Sequence, residues 1–412
     1  MAESTPKSMR LHIGLFGRRN VGKSSLLNAV VGQDVAIVSP VAGTTTDPVE
    51  KPMELLPIGP VVFIDTAGID DEGSLGGLRI ARTRKVFERT DLAVIISDGG
   101  WGEFEAKIAE ELTALKVPFI TAFNKIDLHR PAAETVTALH ATKIPIVTVS
   151  ALTQENISDL RQALLDNVPA DFIENPAIAA DLIKPGEMVI LVVPIDKEAP
   201  KGRLILPQVQ TIRDLLDGDA CCMVVKEREL RHAIDNLKEP PKLVVTDSQA
   251  FLKVAADTPK SVWMTSFSIL FARFKGDLVA QTLGAIAIDK LKPGDEVLIA
   301  EACSHHPIGE DIGRVKIPRW LTQYVGGKLN FTTLAGRDWP KDISKYKLII
   351  HCGACMWNRR QMLSRILECR KAGVPMTNYG LAIAYSLGIF ERALEPFPAA
   401  MNAYRNAKKE MQ

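Results

Sequence analysis

The stretch Gly17-Arg-Arg-Asn-Val-Gly-Lys-Ser24 follows an apolar run, Leu11–Phe16, and opens an amphipathic run, Lys23–Val31. A glycine-rich loop between a strand and a helix is the context that a phosphate-binding P-loop requires. Its backbone N–H groups point at phosphate oxygens, and its lysine supplies positive charge to the β- and γ-phosphates. The sequence therefore predicts an α/β nucleotide-binding domain in which Lys23 binds phosphate and the Ser24 hydroxyl binds Mg²⁺. The nucleotide contacts predicted within the loop are Gly17, Asn20, Val21, Gly22, Lys23, Ser24 and Ser25.

The alternation of apolar and amphipathic runs extends outward from this loop through the first 170 residues. Each apolar run has the length of a buried strand, and the amphipathic runs have helical spacing. A βαβ order predicts a mostly parallel, doubly wound sheet with helices on both faces. The predicted strands are Leu11–Phe16, Val61–Ile64, Leu92–Ile96, Pro118–Phe123 and Pro145–Val149, and the predicted helices are Lys23–Val31, Ala81–Glu88, Phe104–Leu115 and Ile157–Asn167.

Two further motifs predict the groups that act on the γ-phosphate. Gly43-Thr-Thr-Thr-Asp47 precedes a strand, and we select Thr45 as the threonine that closes on Mg²⁺ and the γ-phosphate. In Asp65-Thr-Ala-Gly68, Asp65 can hold Mg²⁺ through water and the Gly68 N–H can contact the γ-phosphate. Together with Lys23, these three residues form the predicted catalytic set.

The base pocket is predicted from two motifs that follow later strands. In Asn124-Lys125-Ile-Asp127 a carboxylate can accept both the N1–H and the exocyclic amine of guanine, a donor pair that adenine lacks. The run Ser150-Ala151-Leu152 would close the pocket. With five motifs in register, the sequence predicts GTP rather than ATP as the nucleotide.

Two more α/β alternations follow, so the predicted fold class is α/β with three domains. We expect a P-loop domain over residues 1–172, a small α/β domain over 181–264 and a third α/β domain over 265–412. In the third domain the pattern predicts one long helix, Ile269–Ile288, and a helix Met356–Lys371. The strands predicted in the two later domains are Met188–Val193, Ala220–Val225, Leu243–Thr246, Ser261–Met264, Glu296–Ala302, Leu329–Leu334, Tyr346–Ile350 and Val374–Thr377.

Three of the six cysteines stand beside histidines in the last third of the chain. Cys303-Ser-His305 and His351-Cys352-Gly-Ala-Cys355 each follow a predicted strand, and open α/β sheets place ligands at the carboxyl ends of strands. The thiolates would also precede the N-terminus of the helix Met356–Lys371, which favours negative charge.

Three thiolates and an imidazole are compatible with two metal centres. A Cys₃His set is an ordinary structural zinc site, whereas an Fe₄S₄ cluster on three cysteines would have its fourth iron on a histidine, water or an exchangeable ligand. Spacing alone leaves both open, together with unrelated reduced cysteines. The remaining cysteines, Cys221, Cys222 and Cys369, are predicted to be buried packing residues.

Composition excludes several classes of protein. Of 412 residues, 46% are apolar and 24% are charged, which excludes intrinsic disorder. A formal net charge of +1 argues against bulk electrostatic binding to nucleic acid or an anionic membrane. No run is typical of a secretory signal or a membrane span, so we expect a cytoplasmic protein without a membrane partner.

The runs Gly17–Asn28 and Ala42–Asp47 resemble translation-factor-like GTPases of the group involved in tRNA modification and ribosome assembly. The resemblance implies that Asn20 helps to hold a K⁺ ion beside the phosphates, where it can replace an arginine finger. Ile69 stands where Ras-like enzymes have a water-orienting Gln. We therefore expect slow intrinsic hydrolysis that is stimulated by potassium.

The order of a GTPase, a small α/β domain and a Cys-x-His…His-Cys-x-x-Cys domain resembles the HydF family of FeFe-hydrogenase maturation GTPases over essentially the whole chain. The resemblance implies a dimerisation role for the middle domain and an Fe₄S₄ cluster on Cys303, Cys352 and Cys355. His305 and His351 match the family motif, either as the fourth ligand or as hydrogen-bonding neighbours of the ligands.

The same resemblance implies a function. Members of the family are scaffolds on which the two-iron subcluster of the hydrogenase is assembled or carried, and GTP regulates the exchange of their partners. The implied partners are two radical-SAM maturases, the apo-hydrogenase and a second copy of the chain. For the dimer we expect the strands Met188–Val193 and Leu243–Thr246 to extend a sheet across a two-fold axis, within a middle unit, 181–260, that dimerises by itself.

Two other hypotheses belong to different classes. One is an RNA- or ribosome-directed GTPase with a C-terminal Cys₃His zinc domain, and the lack of a basic, aromatic-interleaved surface argues against it. The other is an iron or sulfur carrier for a different metalloenzyme. Metal analysis distinguishes the first hypothesis from a HydF-like function. Activation of apo-hydrogenase distinguishes the second hypothesis from that function.

Overall fold

The computed structural model describes residues 6–32, 49–55, 58–66, 85–142, 144–169, 172, 177–194, 204–302, 311–336, 338–340 and 342–411. The chain divides into two compact units, Met1–Asn175 and Pro176–Gln412. Within the described ranges no helix has both the length and the apolar character needed to cross a membrane.

The first unit is built on a six-stranded sheet in the order β2-β3-β1-β4-β5-β6. All neighbouring strands run parallel except β2 and β3. Alternate residues of β1 pack into two separate apolar clusters, which places core on both faces of the sheet as a doubly wound fold requires. The elements are β1 (Leu11–Gly17), α1 (Lys23–Val31), β2 (Val49–Leu55), β3 (Gly59–Asp65), β4 (Leu92–Ser97), α2 (Glu103–Ala114), β5 (Phe119–Phe123), α3 (Ala133–Ala141), β6 (Ile146–Thr148) and α4 (Ile157–Asp166).

Two elements of this unit were not predicted from the sequence. Strand β2 has the sequence Val-Glu-Lys-Pro-Met-Glu-Leu, lies at an edge of the sheet and exposes much of its surface, so it lacks the apolar run of a buried strand. Helix α3 buries little besides Leu139. The first half of the predicted helix Ala81–Glu88 lies outside the described residues, and residues 85–87 of the second half are helical.

The second unit contains two parallel four-stranded sheets. The middle sheet has the order β10-β9-β7-β8. The C-terminal sheet has the order β12-β11-β13-β14. The strands are β7 (Met188–Val192), β8 (Cys221–Val225), β9 (Leu243–Thr246), β10 (Trp263–Ser266), β11 (Glu296–Glu301), β12 (Asn330–Ala335), β13 (Leu348–His351) and β14 (Met376–Asn378). The helices are α5 (Leu206–Asp217), α6 (Leu230–Asp235), α7 (Phe251–Asp257), α8 (Phe267–Lys275), α9 (Leu278–Ile286), α10 (Ile317–Val325), α11 (Arg359–Lys371), α12 (Tyr379–Ser386), α13 (Phe390–Leu394) and α14 (Pro398–Met411).

The middle sheet corrects the predicted route to a dimer. The two strands expected to pair across a two-fold axis, now β7 and β9, are the central strands and are already paired on both sides. Their apolar runs reflect burial on both faces and not a free edge. The edges are β8 and β10, and Cys221 on β8 is exposed and Cys222 half-buried, where burial was predicted. The predicted fragment 181–260 also lacks β10, and the predicted boundary between 264 and 265 falls inside that strand.

The predicted long helix Ile269–Ile288 is wrong, because the chain breaks it into α8 and α9. The break lies at Gly276 and Asp277, and the Asp277 carboxylate accepts the N–H of Ala280 as the N-cap of the second helix. A side chain at Gly276 would place its Cβ 2.8 Å from the Ala272 carbonyl oxygen, so the close turn needs glycine. The predicted helix Met356–Lys371 starts later, at Arg359, because Asn358 caps it.

Candidate functional site

The P-loop is shaped by a glycine that no other residue could replace without movement. Gly22 has a φ of +90°, and a Cβ at this position would lie 2.4 Å from Asn124 Nδ2. The loop leads Lys23 into its interior, where the Nζ atom donates to the carbonyl oxygens of Gly17 at 3.0 Å and Arg18 at 2.8 Å. The ammonium group is therefore buried at the place where a phosphate-binding lysine belongs.

The predicted magnesium ligands Ser24 and Asp65 meet at the carboxyl end of β3. The Ser24 hydroxyl donates to Asp65 Oδ2 at 2.7 Å, and Asp65 is only 5% exposed. Burial raises the pKa of Asp65 above its ordinary value, although the Ser24 hydrogen bond and the Lys23 charge oppose that shift. The second carboxylate oxygen, Oδ1, is buried and has no hydrogen-bond partner within the described part of the chain. Two hard oxygen donors with one unsatisfied carboxylate oxygen fit a Mg²⁺ ion.

Asn124 connects three motifs that are far apart in the sequence. Its Nδ2 donates to the Val21 carbonyl at 2.9 Å, and its Oδ1 accepts the N–H of Ala151 at 3.0 Å. The Ser150 hydroxyl donates to Asp127 Oδ1 at 2.6 Å. The structure therefore brings the P-loop and both base-pocket motifs together.

The other predicted nucleotide contacts vary in their placement. Asn20 is an exposed residue of the loop with a φ of +61°, Lys125 has a φ of +62° beside the P-loop glycine, and Ser25 is half-buried on α1. Leu152 is 82% exposed, so its side chain packs against little of the described protein. Thr45 and Gly68, together with Ile69, lie outside the described residues.

One contact of the P-loop was missed by sequence reasoning. The Arg18 guanidinium forms a paired hydrogen bond with the Glu105 carboxylate, at 2.8 and 3.2 Å, and Glu105 is 1% exposed at the start of α2. Arg18 is thus held by an ion pair, although its side chain remains 45% exposed. No local pattern indicates this pair, because its members are 87 residues apart.

In the second unit, Cys352 lies at the carboxyl end of β13, as predicted. Its backbone N–H donates to the Ala300 carbonyl on the neighbouring strand β11, and its Sγ accepts the N–H of Ala302 at 3.0 Å. Ala302 directly precedes Cys303 in the chain. The sulfur of Cys352 is therefore next to the segment that carries the third predicted thiol, which itself lies outside the described residues together with His305.

A buried lysine holds the turn that carries Cys355. Lys275 is 1% exposed, and its Nζ donates to the carbonyl oxygens of Ala354, Cys355 and Trp357 at 3.2, 2.8 and 2.7 Å. Burial lowers the pKa of Lys275 to about 7, and negative charge on Cys355 and Cys352 opposes that shift. Burial also raises the pKa of the Cys355 thiol, and Lys275 opposes that shift.

His351 is fully buried, and both nitrogens of its ring are engaged. Nδ1 lies 2.9 Å from the Cys352 carbonyl oxygen, and Nε2 lies 2.8 Å from the guanidinium of Arg365. Arginine can only donate, so Nε2 accepts and Nδ1–H donates. Burial, with the charge of Arg365, lowers the pKa of His351 to about 3, which keeps the ring neutral. In this arrangement the ring positions Cys352 and has no nitrogen left for a metal.

Arg365 is itself fixed between two rings. Its guanidinium lies 4.2 Å from the ring centroid of Trp339 and 4.1 Å from that of Trp357. Among the residues that the structure describes, no group of three or more His, Cys, Asp or Glu side chains is placed to hold a metal ion. The described part of the site is therefore two thiols on a braced turn. Cys369 is buried, as predicted, in the apolar cluster that also contains Ala354 and Trp357.

The fold and the nucleotide site define a P-loop GTPase domain joined to a second α/β unit. A family model described as a 50S ribosome-binding GTPase matches residues 12–125. Two further models match within the second unit, the hydrogen maturase F dimerization domain at residues 178–276 and the hydrogen maturase F tetramerization domain at residues 280–396. The chain belongs to the hydrogen maturase F family, which confirms the resemblance to HydF and the α/β fold class.

The chain spans only about a quarter to a third of the length of the curated relatives that it matches. The tRNA modification GTPase MnmE of Bordetella petrii is 44% identical over 121 residues, which is 29% of this chain and 26% of that protein. GTPase Der of Wolinella succinogenes is 36% identical over 174 residues, which is 40% of this chain and 36% of that protein. Among solved structures, Aquifex aeolicus Era bound to GDP and aluminium fluoride is 20% identical with a TM-score of 0.35, over 60% of this chain and 99% of that chain.

Proposed function

We propose that this chain is a GTP-hydrolysing scaffold or carrier that binds an Fe₄S₄ cluster and assembles or delivers the two-iron subcluster of FeFe hydrogenase. The observation that carries the proposal is the presence, in one chain, of a GTPase domain and both hydrogen maturase F domains. The paired thiols at the strand ends of the last sheet support it, because a purely nucleotide-driven switch has no use for them.

The nucleotide side of the proposal assigns roles to residues of the first unit. Lys23 stabilises negative charge on the β- and γ-phosphates, and Ser24 and Asp65 hold Mg²⁺. Thr45 and the Gly68 N–H complete the γ-phosphate contacts, and Asp127 selects guanine. Asn20 would hold K⁺, so hydrolysis should run faster in potassium than in sodium salts, and equal rates would remove that role.

The cluster side assigns Cys303, Cys352 and Cys355 as ligands. Thiolates are the ligands that iron–sulfur clusters use, and the buried cation Lys275 beside two of them suits an anionic group. Bound there, the cluster would supply an iron with an exchangeable ligand to which a precursor can attach. His351 orients Cys352 through its backbone carbonyl, so of the two predicted histidines we propose His305 as the candidate fourth ligand.

The proposed partners are GTP, apo-hydrogenase, the two radical-SAM maturases and a second copy of the chain, in the cytoplasm and without nucleic acid or membrane. For the dimer we now propose the edge strand β8 as the contact. It pairs on one side with β7, its other edge has no partner strand among the described residues, and Cys221 and Val224 on it are exposed. An unpaired parallel edge of this kind can pair with its symmetry mate.

Anaerobic purification with metal analysis tests the proposal. We expect brown protein with about four irons per chain, and loss of most iron in Cys303→Ser, Cys352→Ser and Cys355→Ser. The exposed Cys221→Ser is the matched control and should keep its iron. Colourless protein with about one zinc would instead support the RNA-directed GTPase, and a brown protein that fails to activate apo-hydrogenase would support a carrier for another enzyme.

A further inference from the structure

Lys275 is a buried cation that neither the nucleotide site nor the predicted ligand set uses. It ends helix α8 and is 1% exposed. Its Nζ donates to three carbonyl oxygens of the turn at residues 352–357, here called the cysteine turn. Within the described ranges no carboxylate pairs with it, and its other close neighbour is the ring of Phe271, at 5.6 Å from the centroid. A buried charge without a partner of opposite sign is costly, so the chain should have a reason to keep it.

The contact between α8 and the cysteine turn is reciprocal. Arg359, the first residue of α11, donates back to the Phe274 carbonyl oxygen at 2.6 Å, one residue from Lys275. The turn contains Ala354, whose φ of +49° lies in the left-handed region that most residues avoid. Lys275 thus holds, from α8, a turn that is unfavourable by itself, and Arg359 at the start of α11 holds the end of α8 in return.

The three acceptors fit the charged form of the group. An ammonium has three N–H donors and a neutral amine has two, so three carbonyls at hydrogen-bond distance match the charged form. Negative charge on the Cys355 and Cys352 sulfurs, as in a bound cluster, would favour this ammonium form. Positive charge near an iron–sulfur cluster stabilises its reduced, more negative state and raises its reduction potential.

We propose that Lys275 is a positioning residue for the cluster: its ammonium group holds the turn of Cys352 and Cys355 in the ligand geometry, and its buried positive charge sets the cluster's reduction potential. The inference rests on the proposed function, because it needs a cluster on these cysteines. It adds a residue to the site that stands 79 positions before Ala354 and belongs to no cysteine motif.

The test compares four full-length proteins reconstituted anaerobically: wild type, Lys275→Gln, Lys275→Arg and Lys371→Gln. The glutamine keeps two donors and removes the charge, and the arginine keeps the charge. Lys371→Gln is the same chemical change at the exposed end of α11. The measurements are iron per chain, a redox titration followed by electron paramagnetic resonance, and circular dichroism to check folding.

In Lys275→Gln we expect a partial loss of iron and a shift of the remaining cluster to a more negative potential, with Lys371→Gln at wild-type values. A folded Lys275→Gln with wild-type iron and potential would overturn the inference. If Lys275→Gln does not fold, Lys275→Arg decides: a wild-type potential supports the role of the charge, and a lower one overturns it. A wild-type protein without iron would refute the proposed function itself, which keeps the two failures distinct.

Discussion

At the scale of single residues, the nucleotide site depends on side chains that join distant motifs. Asn124 holds the P-loop through the Val21 carbonyl and the base-pocket loop through the Ala151 N–H. The Ser150 hydroxyl in turn fixes one oxygen of Asp127. The carboxylate that should read guanine is therefore held in place before the base arrives, which is what selective recognition requires.

The first prediction concerns Asp127. Asp127→Asn should lower the affinity for GTP by about a hundredfold or more, because the amide has no charge and turns an NH₂ donor toward one of the two guanine donors. Xanthine offers an acceptor where guanine has its amine, so XTP should bind better than GTP. Competition binding with the two nucleotides measures the shift, and Asp166→Asn on the surface of α4 is the control. Unchanged selectivity for GTP would remove Asp127 from the base pocket.

The residues that sequence reasoning found and missed differ in one physical respect. P-loop residues and the Cys-x-x-Cys spacing are local patterns, so Lys23, Cys352 and Cys355 could be identified without a fold. Lys275 and Glu105 act through tertiary contacts, 79 and 87 residues away in the chain. Nothing near them in the sequence indicates that a lysine and a glutamate, which usually face solvent, are buried.

At the scale of elements, the C-terminal helices meet at one carboxylate. Asp289, in the turn after α9, accepts hydrogen bonds from Tyr324 on α10, Tyr385 on α12 and Lys408 on α14. Burial alone would raise the pKa of Asp289, but these three hydrogen bonds outweigh it and lower the pKa below its ordinary value of 3.8. One side chain therefore fixes three helices to the end of a fourth.

The second prediction follows from this network. Asp289→Asn should lower the free energy of unfolding by about 1–2 kcal/mol near neutral pH, because charge-assisted bonds are replaced by weaker ones. A carboxyl group whose pKa is lower in the folded protein stabilises the fold at pH values above its unfolded-state pKa. That stabilisation is lost as the pH falls through the folded-state pKa. The difference between wild type and variant should thus shrink below pH 3.8. Urea unfolding across pH measures it, with the exposed Asp235→Asn as control.

Strands that are buried on both faces of a sheet could be predicted from the sequence. Strands such as β1 and β4 are buried along their whole length, and their apolar runs were found. The edge strand β2 carries charged residues and was missed, since edge strands need no apolar run. The α8–α9 break was missed because apolar periodicity continues across Gly276 and Asp277, and only the cap and the close approach of Ala272 reveal it.

The third prediction concerns the edge strand of the middle sheet. If β8 pairs with its counterpart in a second chain, Val224→Lys should weaken the dimer by roughly tenfold or more, because a lysine on an edge strand opposes edge-to-edge pairing. Val224 is 44% exposed in the single chain. Leu252→Lys, at a 55% exposed position of α7, is the matched control. Sedimentation of the full chain over a concentration series decides, and an undiminished dimer would exclude β8 as the contact.

At the scale of the whole molecule, the nucleotide site and the proposed cluster site lie in different compact units. The P-loop, Asp65 and the base pocket lie in Met1–Asn175, whereas Cys352, Cys355 and Lys275 lie in Pro176–Gln412. Helix α8 continues directly from β10 of the middle sheet, through the N-cap Ser266, and ends at the cysteine turn. An oligomer built on the middle sheet would thus stand one helix away from the proposed cluster.

The last prediction follows from this separation. Lys23→Ala should abolish GTP hydrolysis, because the ammonium is the buried cation of the P-loop, on the carbonyls of Gly17 and Arg18. The same variant should keep the iron content and the paramagnetic signal of the reduced cluster, since the residues seen to brace the cysteine turn in the described part of the chain all belong to the second unit. Phosphate release and iron analysis on one preparation measure both, and Lys107→Ala, exposed on α2, is the control. Loss of iron in Lys23→Ala would show that the nucleotide site supports the cluster directly, so that GTP acts on cluster retention and not on partner exchange.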